Sequence, residues 1–290
     1  MGKLIRCITS EGAVMVSAVD STDIVAKAEQ IHKTSAVATA ALGRMLTAAS
    51  MMGNMLKGEK NTISLKMDGG GPLGALTVAA DSTGNVRGYV ANPVVEIPLK
   101  PNGKLDVSGA VGKDGSLFVV KDLGLKEPYN GFVPIVSGEI AEDITSYYAT
   151  SEQIPTVCAL GVLVNPDLTV KKAGGYILQL LPFTENEIIE KIENNLTRVK
   201  PVTQLLDEGM DIEDIVRDVL EGFDVEVIYE EQVAYKCKCS REKVKATLES
   251  INPKELESMC EDLPQIEVKC HFCNTDYVFS KEEIKNFEKK

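Results

Sequence analysis

The sequence predicts an α+β fold in three parts: an N-terminal mixed-sheet domain with packed helices over residues 1–180, an acidic helical linker over 181–230, and a small cysteine-bearing C-terminal domain over 231–290. Three observations lead there. Residues 61–180 alternate short β-rich runs with clusters of Gly, Pro, Asn and Asp. Of the net charge of −12, a share of −10 falls in residues 181–230, where 14 acidic side chains face 4 basic ones. Two close cysteine pairs stand in the last sixty residues.

Composition sets the outer bounds. A chain of 290 residues suggests about two domains. With 44% apolar and 26% charged residues it is an ordinary globular chain, not a collagen-like, disulfide-rich or disordered one. The absence of Trp and 5% aromatic content argue against base-stacking platforms. The net charge of −12 argues against nucleic acid and anionic membranes as partners, since both require clustered Lys and Arg. The N-terminus MGKLIRCITSEG lacks the apolar run of a secretory signal. An odd count of 7 Cys then points to the reducing cytoplasm, where close cysteines are more often metal ligands or redox switches than structural bridges.

The elements follow in order. Residues 3–8 and 13–19 read as paired strands around a Ser10-Glu11-Gly12 turn. Asp20, Ser21 and Thr22 offer caps for a helix reaching about residue 32. An Ala-rich helix runs from near Ser35 to before Gly58. Its stretch 36–56 is only weakly apolar and carries Arg44, so it reads as a buried helix of a globular core, not a membrane span. TISLKM, ALTVAA, VRGYVA and SLFVVKD are strands of an antiparallel or mixed sheet with helices on one face. Gly69-Gly70-Gly71-Pro72 is a plain turn, because it lacks a Gly-Lys-Ser/Thr ending and precedes a strand. A short helix holds Tyr147 and Tyr148, and the strands TVCALGVLV and AGGYILQLLP close the domain. Cys7 and Cys158 lie in apolar strands and read as buried and inert.

The acidic segment is helical. Thr184 and Glu187 form a capping box ahead of Ile188, Ile189, Ile192 and Leu196. Pro201 opens a second helix with Val202, Leu205 and Leu206. Asp211 caps a third, with Ile212, Ile215, Val216, Val219 and Leu220 on one face and Gly222 as its stop. None is long enough to be stable alone in water, so each must dock its apolar stripe on something.

The last sixty residues carry the chemistry. Cys237-Lys238-Cys239 is followed after thirty residues by Cys270-His271-Phe272-Cys273. Two such pairs present four thiolates to one tetrahedral ion, the ligand set of a closed structural zinc site. The C-terminal part therefore reads as a four-cysteine zinc domain with one Zn2+ held by Cys237, Cys239, Cys270 and Cys273. His271 sits inside its knuckle, pointing away from the ion. Cys260 belongs to the apolar face of a helix capped by Asn252 and Pro253, with Leu256, Met259 and Leu263. Lys236, Lys238, Arg241 and Lys269 either offset the −2 charge of the zinc–thiolate centre or are ordinary surface charges. A domain near sixty residues is marginal without such a staple. Oxidation of the thiolates to disulfides would release the metal and unfold it, which makes the site a switch as well as a staple.

CKCSRE with CHFCNTDYVF at this spacing resembles the redox-regulated heat-shock protein 33 family of bacterial holdase chaperones. GYVANP at 88–93, YYATSEQIPT at 147–156 and GGYILQLLP at 174–182 are similar to that family's core-domain motifs, so the resemblance spans the chain. It implies an inactive, monomeric, reduced and zinc-bound form. Peroxide or hypochlorite, usually with heat, oxidises the four cysteines and expels the metal. The zinc domain and linker then unfold, and a protein that is often dimeric binds unfolding clients without ATP, with residues 1–180 as the client-binding and dimerisation core. The redox disulfides implied by the resemblance are Cys237–Cys239 and Cys270–Cys273. On this reading the protein is not an enzyme and has no catalytic residues. The alternative is a zinc-ribbon nucleic-acid-binding module, which the net charge of −1 over 231–290 and the lack of a basic stripe disfavour. A zinc hydrolase or deaminase would need a His-x-Glu motif and an open coordination position, and a thioredoxin-like dithiol would open a helix with its CxxC; here a strand, Asp276–Ser280, follows.

Overall fold

The computed structural model describes residues 1–252, 255, 256, 258, 259 and 265–287. Two compact units emerge, Met1–Lys236 and Cys237–Lys290.

The first unit holds two five-stranded sheets. One has the order β10-β1-β2-β9-β8, from β1 (Gly2–Thr9), β2 (Val14–Asp20), β8 (Thr156–Val164), β9 (Val170–Leu180) and β10 (Val225–Val233). The other has the order β5-β4-β3-β6-β7, from β3 (Thr62–Asp68), β4 (Leu76–Asp81), β5 (Val86–Val90), β6 (Ser116–Asp122) and β7 (Tyr129–Pro134). Every strand pairing within them is antiparallel; Val86 and Tyr235 add an isolated parallel bridge. The α+β class thus takes the form of two antiparallel sheets where the sequence suggested a sheet that was antiparallel or mixed.

Between the sheets runs α2 (Ala36–Asn54), buried along almost its whole length beside α1 (Thr22–His32). Strand alternation supplies the core around it: Ile63, Leu65 and Met67 of β3 and Leu76, Val78 and Ala80 of β4 from one side, Val19 and Ile177 from the other. The Ala, Gly and Ser content of α2, which made it weakly apolar as a sequence, lets two sheets approach one helix closely. Arg44, the single charge of the 36–56 stretch, donates from Nη1 to Glu139 Oε2 at 2.8 Å. Burial raises the Glu139 pKa, but its bonds from Lys100 and Arg44 more than offset this and hold the carboxyl below its ordinary value. Among the described residues no helix is long and apolar enough to cross a membrane.

The opposite face of the first sheet is covered by α5 (Asn186–Leu196), α6 (Val202–Asp207) and α7 (Ile212–Val219). Ile192, Val202, Leu205, Leu206, Ile212, Ile215, Val216 and Val219 pack there against Ile5, Val14, Val16, Ala18 and Leu178. The stripes expected from the sequence are these buried positions. Asp211 caps α7 as expected, accepting from the N–H groups of Glu213 and Asp214. The Thr184–Glu187 capping box does not form. Glu185 is the N-cap of α5, and the Thr184 hydroxyl instead bonds the carbonyls of Ala13 and Leu181.

Two strands of this unit go beyond what the sequence predicts. β10 spans residue 230, where the sequence placed the end of the linker. It pairs with the edge of β1 and carries an irregularity opposite Arg6 and Cys7, with Ile228 as the extra residue. That bulge switches faces: Val225 and Val227 join the helix-covered core, whereas Tyr229 and Val233 join the α2 core. β7, which the sequence patterns assigned to no element, contains Asn130-Gly131 and ends in Pro134. As an edge strand it tolerates the proline. Gly131 is required because a Cβ would lie 2.7 Å from the Tyr147 ring. That ring belongs to α4 (Ala141–Tyr147), which continues into a π-helical turn, Tyr148–Glu152. A helix α3 (Val107–Val111) completes this unit.

The second unit contains α8 (Arg241–Glu249), a hairpin of β11 (Gln265–Lys269) and β12 (Asp276–Ser280), and α9 (Lys281–Lys285). Leu248, Leu256, Ile266, Phe279 and Ile284 form its buried core. Cys260, Pro253 and Leu263 lie outside the described residues.

The two thiols of the first unit report on opposite faces of its first sheet. Cys7 is fully buried beneath α7, and burial, with Glu213 nearby, pushes its thiol up to about 11. Cys158 packs toward the α2 core, and burial raises its pKa as well. Ile215→Ala is expected to loosen α7 by about 2–5 kcal/mol. Peptide mass spectrometry should then show faster alkylation of Cys7 in the reduced, metal-loaded protein, with the rate at Cys158 unchanged.

Candidate metal centre

The centre is built by two loops. The first, Cys237-Lys238-Cys239, leads into α8, whose N-cap Ser240 accepts from Lys243 N–H. The second is the turn of the β11–β12 hairpin. There Cys270 N–H donates to Thr275 O at 2.9 Å and Asn274 N–H to Cys270 O at 2.8 Å, with Asn274 in the left-handed region at φ 55°. An Asn tolerates that conformation better than most residues, so the turn can fold Cys273 back beside Cys270.

The four sulfurs of Cys237, Cys239, Cys270 and Cys273 all lie within 4.8 Å of one another. Across the two loops, Cys237 and Cys270 are 3.7 Å apart and Cys239 and Cys273 are 3.3 Å apart. A tetrahedral zinc site with bonds of about 2.3 Å has sulfur–sulfur edges of about 3.8 Å, close to these values. His271 is not part of the converging group. Arg241 and Lys269 pair with Glu283 at 2.7 Å and Asp276 at 4.0 Å, so both have carboxylate partners within the unit.

The electrostatics favour a cation. Burial pushes the Cys237 thiol up to about 12 and raises Cys270. Cys273 is lowered to about 7: burial opposes ionisation, but hydrogen bonds with Thr275 and the neighbouring sulfurs outweigh it. Such a cluster cannot hold four thiolates on its own; a divalent cation among them removes that obstacle. The donor set and its spacing therefore fit zinc.

Two hydroxyls reach the cluster that sequence reasoning did not single out. Tyr277 Oη donates to Cys239 Sγ at 3.0 Å, and Thr275 Oγ1 lies 3.2 Å from Cys273 Sγ. Their signal in the sequence was slight: Tyr277 is an ordinary strand residue opposite Val268, and only the hairpin register turns it toward a sulfur on the other loop.

Fold and site together define a two-unit α+β protein whose C-terminal unit brings four cysteines to the spacing of a metal site. Residues 2–280 match the family model described as Hsp33 protein. A "33 kDa chaperonin" from Lachnoclostridium phytofermentans is 49% identical over 283 residues, covering 98% of this chain and 97% of the relative. One from Geobacillus sp. is 45% identical over 285 residues, with 98% and 96% covered. The crystal structure of the 33 kDa chaperonin, a heat shock protein 33 homologue, from Thermotoga maritima superposes with a TM-score of 0.89 at 40% identity, covering 98% of this chain and 97% of that one. The chain belongs to the Hsp33 family, whose curated members carry the name of a chaperone.

Purified under reducing conditions, the protein is expected to hold one zinc per chain, measured by elemental analysis. Cys270→Ser should lose it and melt the β11–β12 hairpin, while the first unit keeps its circular dichroism signal.

Proposed function

We propose that this protein is an ATP-independent, redox-regulated holdase: inactive when reduced and zinc-bound, and active toward unfolding proteins once the four cysteines are oxidised. The convergence of Cys237, Cys239, Cys270 and Cys273 from two loops carries this reading.

In the reduced state the four side chains act as thiolate ligands. A bound zinc ion would cross-link the loop before α8 to the β11–β12 hairpin and supply on the order of 10–16 kcal/mol of coupled folding energy. Beyond the sulfurs, the unit's described core is five buried side chains, too little to hold so short a segment alone. Oxidation to Cys237–Cys239 and Cys270–Cys273, the pairing the family resemblance implies, removes all four ligands. Each of those bonds lies within one loop, so neither replaces the cross-link between them. The C-terminal unit then unfolds.

The linker helices are the second part of the switch. Their four basic side chains are all engaged: Arg198 with Glu221, Lys200 with Glu208, Arg217 with Glu213, and Lys191 on the Gly222 carbonyl. Exposed pairs of this kind contribute about 0–1 kcal/mol each. Ten excess acids remain on the segment 181–230, repelling one another. Docking therefore rests on the apolar stripes. On release, those stripes and the sheet face of Ile5, Val14, Val16 and Leu178 become surface for unfolded clients. The acids keep the opened form in solution. The proposal extends to a cytoplasmic location, to dimerisation of the oxidised form, and to the absence of catalysis, nucleic-acid binding and membrane binding.

Light scattering of a denaturant-unfolded client tests it. Reduced, zinc-loaded protein should leave aggregation unchanged, and protein oxidised with peroxide under warming should suppress it; equal behaviour of the two forms would sink the proposal. Salt screens the self-repulsion of the linker. The midpoint for thermal loss of linker helicity in the oxidised protein should therefore rise with ionic strength in circular dichroism melts, and an unchanged or lower midpoint counts against this role for the acids.

A further inference from the structure

We propose that Tyr277 is a positioning residue of the four-cysteine centre: its phenol, donating to Cys239 Sγ from β12, orients that sulfur, tightens metal retention and raises the resistance of the centre to oxidation. The inference rests on reading the four cysteines as a zinc site.

The geometry makes the four sulfurs unequal. Tyr277 Oη is 3.0 Å from Cys239 Sγ, and Thr275 Oγ1 is 3.2 Å from Cys273 Sγ. Among the described residues these are the side-chain hydroxyls that reach the cluster. Each cysteine pair thus has one sulfur with a hydroxyl partner, and these two face each other at 3.3 Å. The Tyr277 bond also crosses between the loops. Tyr277 lies on the hairpin that carries Cys270 and Cys273, whereas Cys239 belongs to the loop before α8. It is a second tie between the two halves of the centre, independent of the metal.

A hydrogen bond to an anionic sulfur draws electron density from the lone pairs. The sulfur becomes a poorer nucleophile toward peroxide and is held in its ligating orientation. Outer-shell partners of this kind typically contribute about 10–100-fold in metal affinity. The oxidation they retard is balanced as follows. One thiolate attacks hydrogen peroxide, forming a sulfur–oxygen bond as the oxygen–oxygen bond breaks and hydroxide leaves. A second thiolate displaces hydroxide from the resulting sulfenic acid and forms the disulfide. Two thiolates lose two electrons in total, and the peroxide becomes two hydroxides.

Tyr277→Phe removes the hydroxyl and keeps the ring, which packs against the small core of the unit. Three readouts on the full chain apply. Chelator competition should show zinc affinity reduced about tenfold or more. Zinc release under peroxide should be several-fold faster. In the cobalt-substituted protein, the sulfur-to-metal charge-transfer band should move to longer wavelength, because an undonated sulfur lone pair lies higher in energy. Replacing Tyr277 by 3-fluorotyrosine, a more acidic phenol and a stronger donor, should move that band the opposite way, which loss of packing cannot do. Bands unmoved in both variants, with wild-type release rates, overturn the proposal. A wild-type chain that takes up no cobalt overturns the metal reading and the inference with it; uptake by wild type with the band unmoved in the variants overturns the inference alone.

Discussion

The face of the first sheet turned away from α2 must be covered, and the helices that cover it cannot exist without it. Ile5, Val14, Val16, Ala18 and Leu178 would otherwise form an apolar patch in water. The helices α5 to α7 run to 11, 6 and 8 residues, below the length at which isolated helices hold together. Each side supplies what the other lacks. Their union is hydrophobic and non-directional, opposed by the charge the helices carry on their outer faces. An interface built this way hides the patch and leaves the charge on the outside.

The C-terminal unit repeats the arrangement on a smaller scale. Among the described residues its buried side chains are few, and the sulfurs of its two cysteine loops lie within 4.8 Å of one another. Burial disfavours the charged form of Cys237 and Cys270, so the cluster resists full ionisation. Binding a cation relieves that conflict, and oxidising the sulfurs abolishes the ligands. On the proposed reading, local chemistry at four atoms decides whether the segment has a folded state.

Much of this was legible in the residues because the signals were local. The 3.6-residue spacing of Ile212, Ile215, Val216 and Val219 marks one face of a helix whatever lies beneath it, and Asp211 caps that helix through bonds to N–H groups two and three residues on. The four cysteines were readable for the same reason: paired thiols at short spacing are a local pattern that suits one tetrahedral ion. Where competing partners lay far away in the chain, local reasoning failed. Thr184 had a capping box available, but the Ala13 carbonyl, 171 residues away, takes its hydroxyl. Residues 129–134 had no reading in the sequence; they are a strand because β6 offers a partner, with Gly131 where the Tyr147 ring demands a residue without Cβ.

β10 shows the division most clearly. Its residues Val225 to Val233 alternate in burial but not in composition, with Val227-Ile228-Tyr229 followed by Glu230-Glu231-Gln232, and the acid count alone assigned its first part to the linker. Pairing with β1 makes it a strand of the first sheet, and the bulge at Ile228 sends its two ends to opposite cores. The sequence by itself determined the α+β class, the helical character of the acidic stretch ahead of β10, and the pairing of Cys237 with Cys239 and Cys270 with Cys273 in two short knuckles, because periodicity, charge and cysteine spacing are properties of neighbouring residues. Tertiary structure alone decided that two antiparallel sheets enclose α2, that the acidic helices lie on the first sheet's other face, and that Tyr277 reaches Cys239, because each depends on which distant surfaces meet, and strand pairing and register set that.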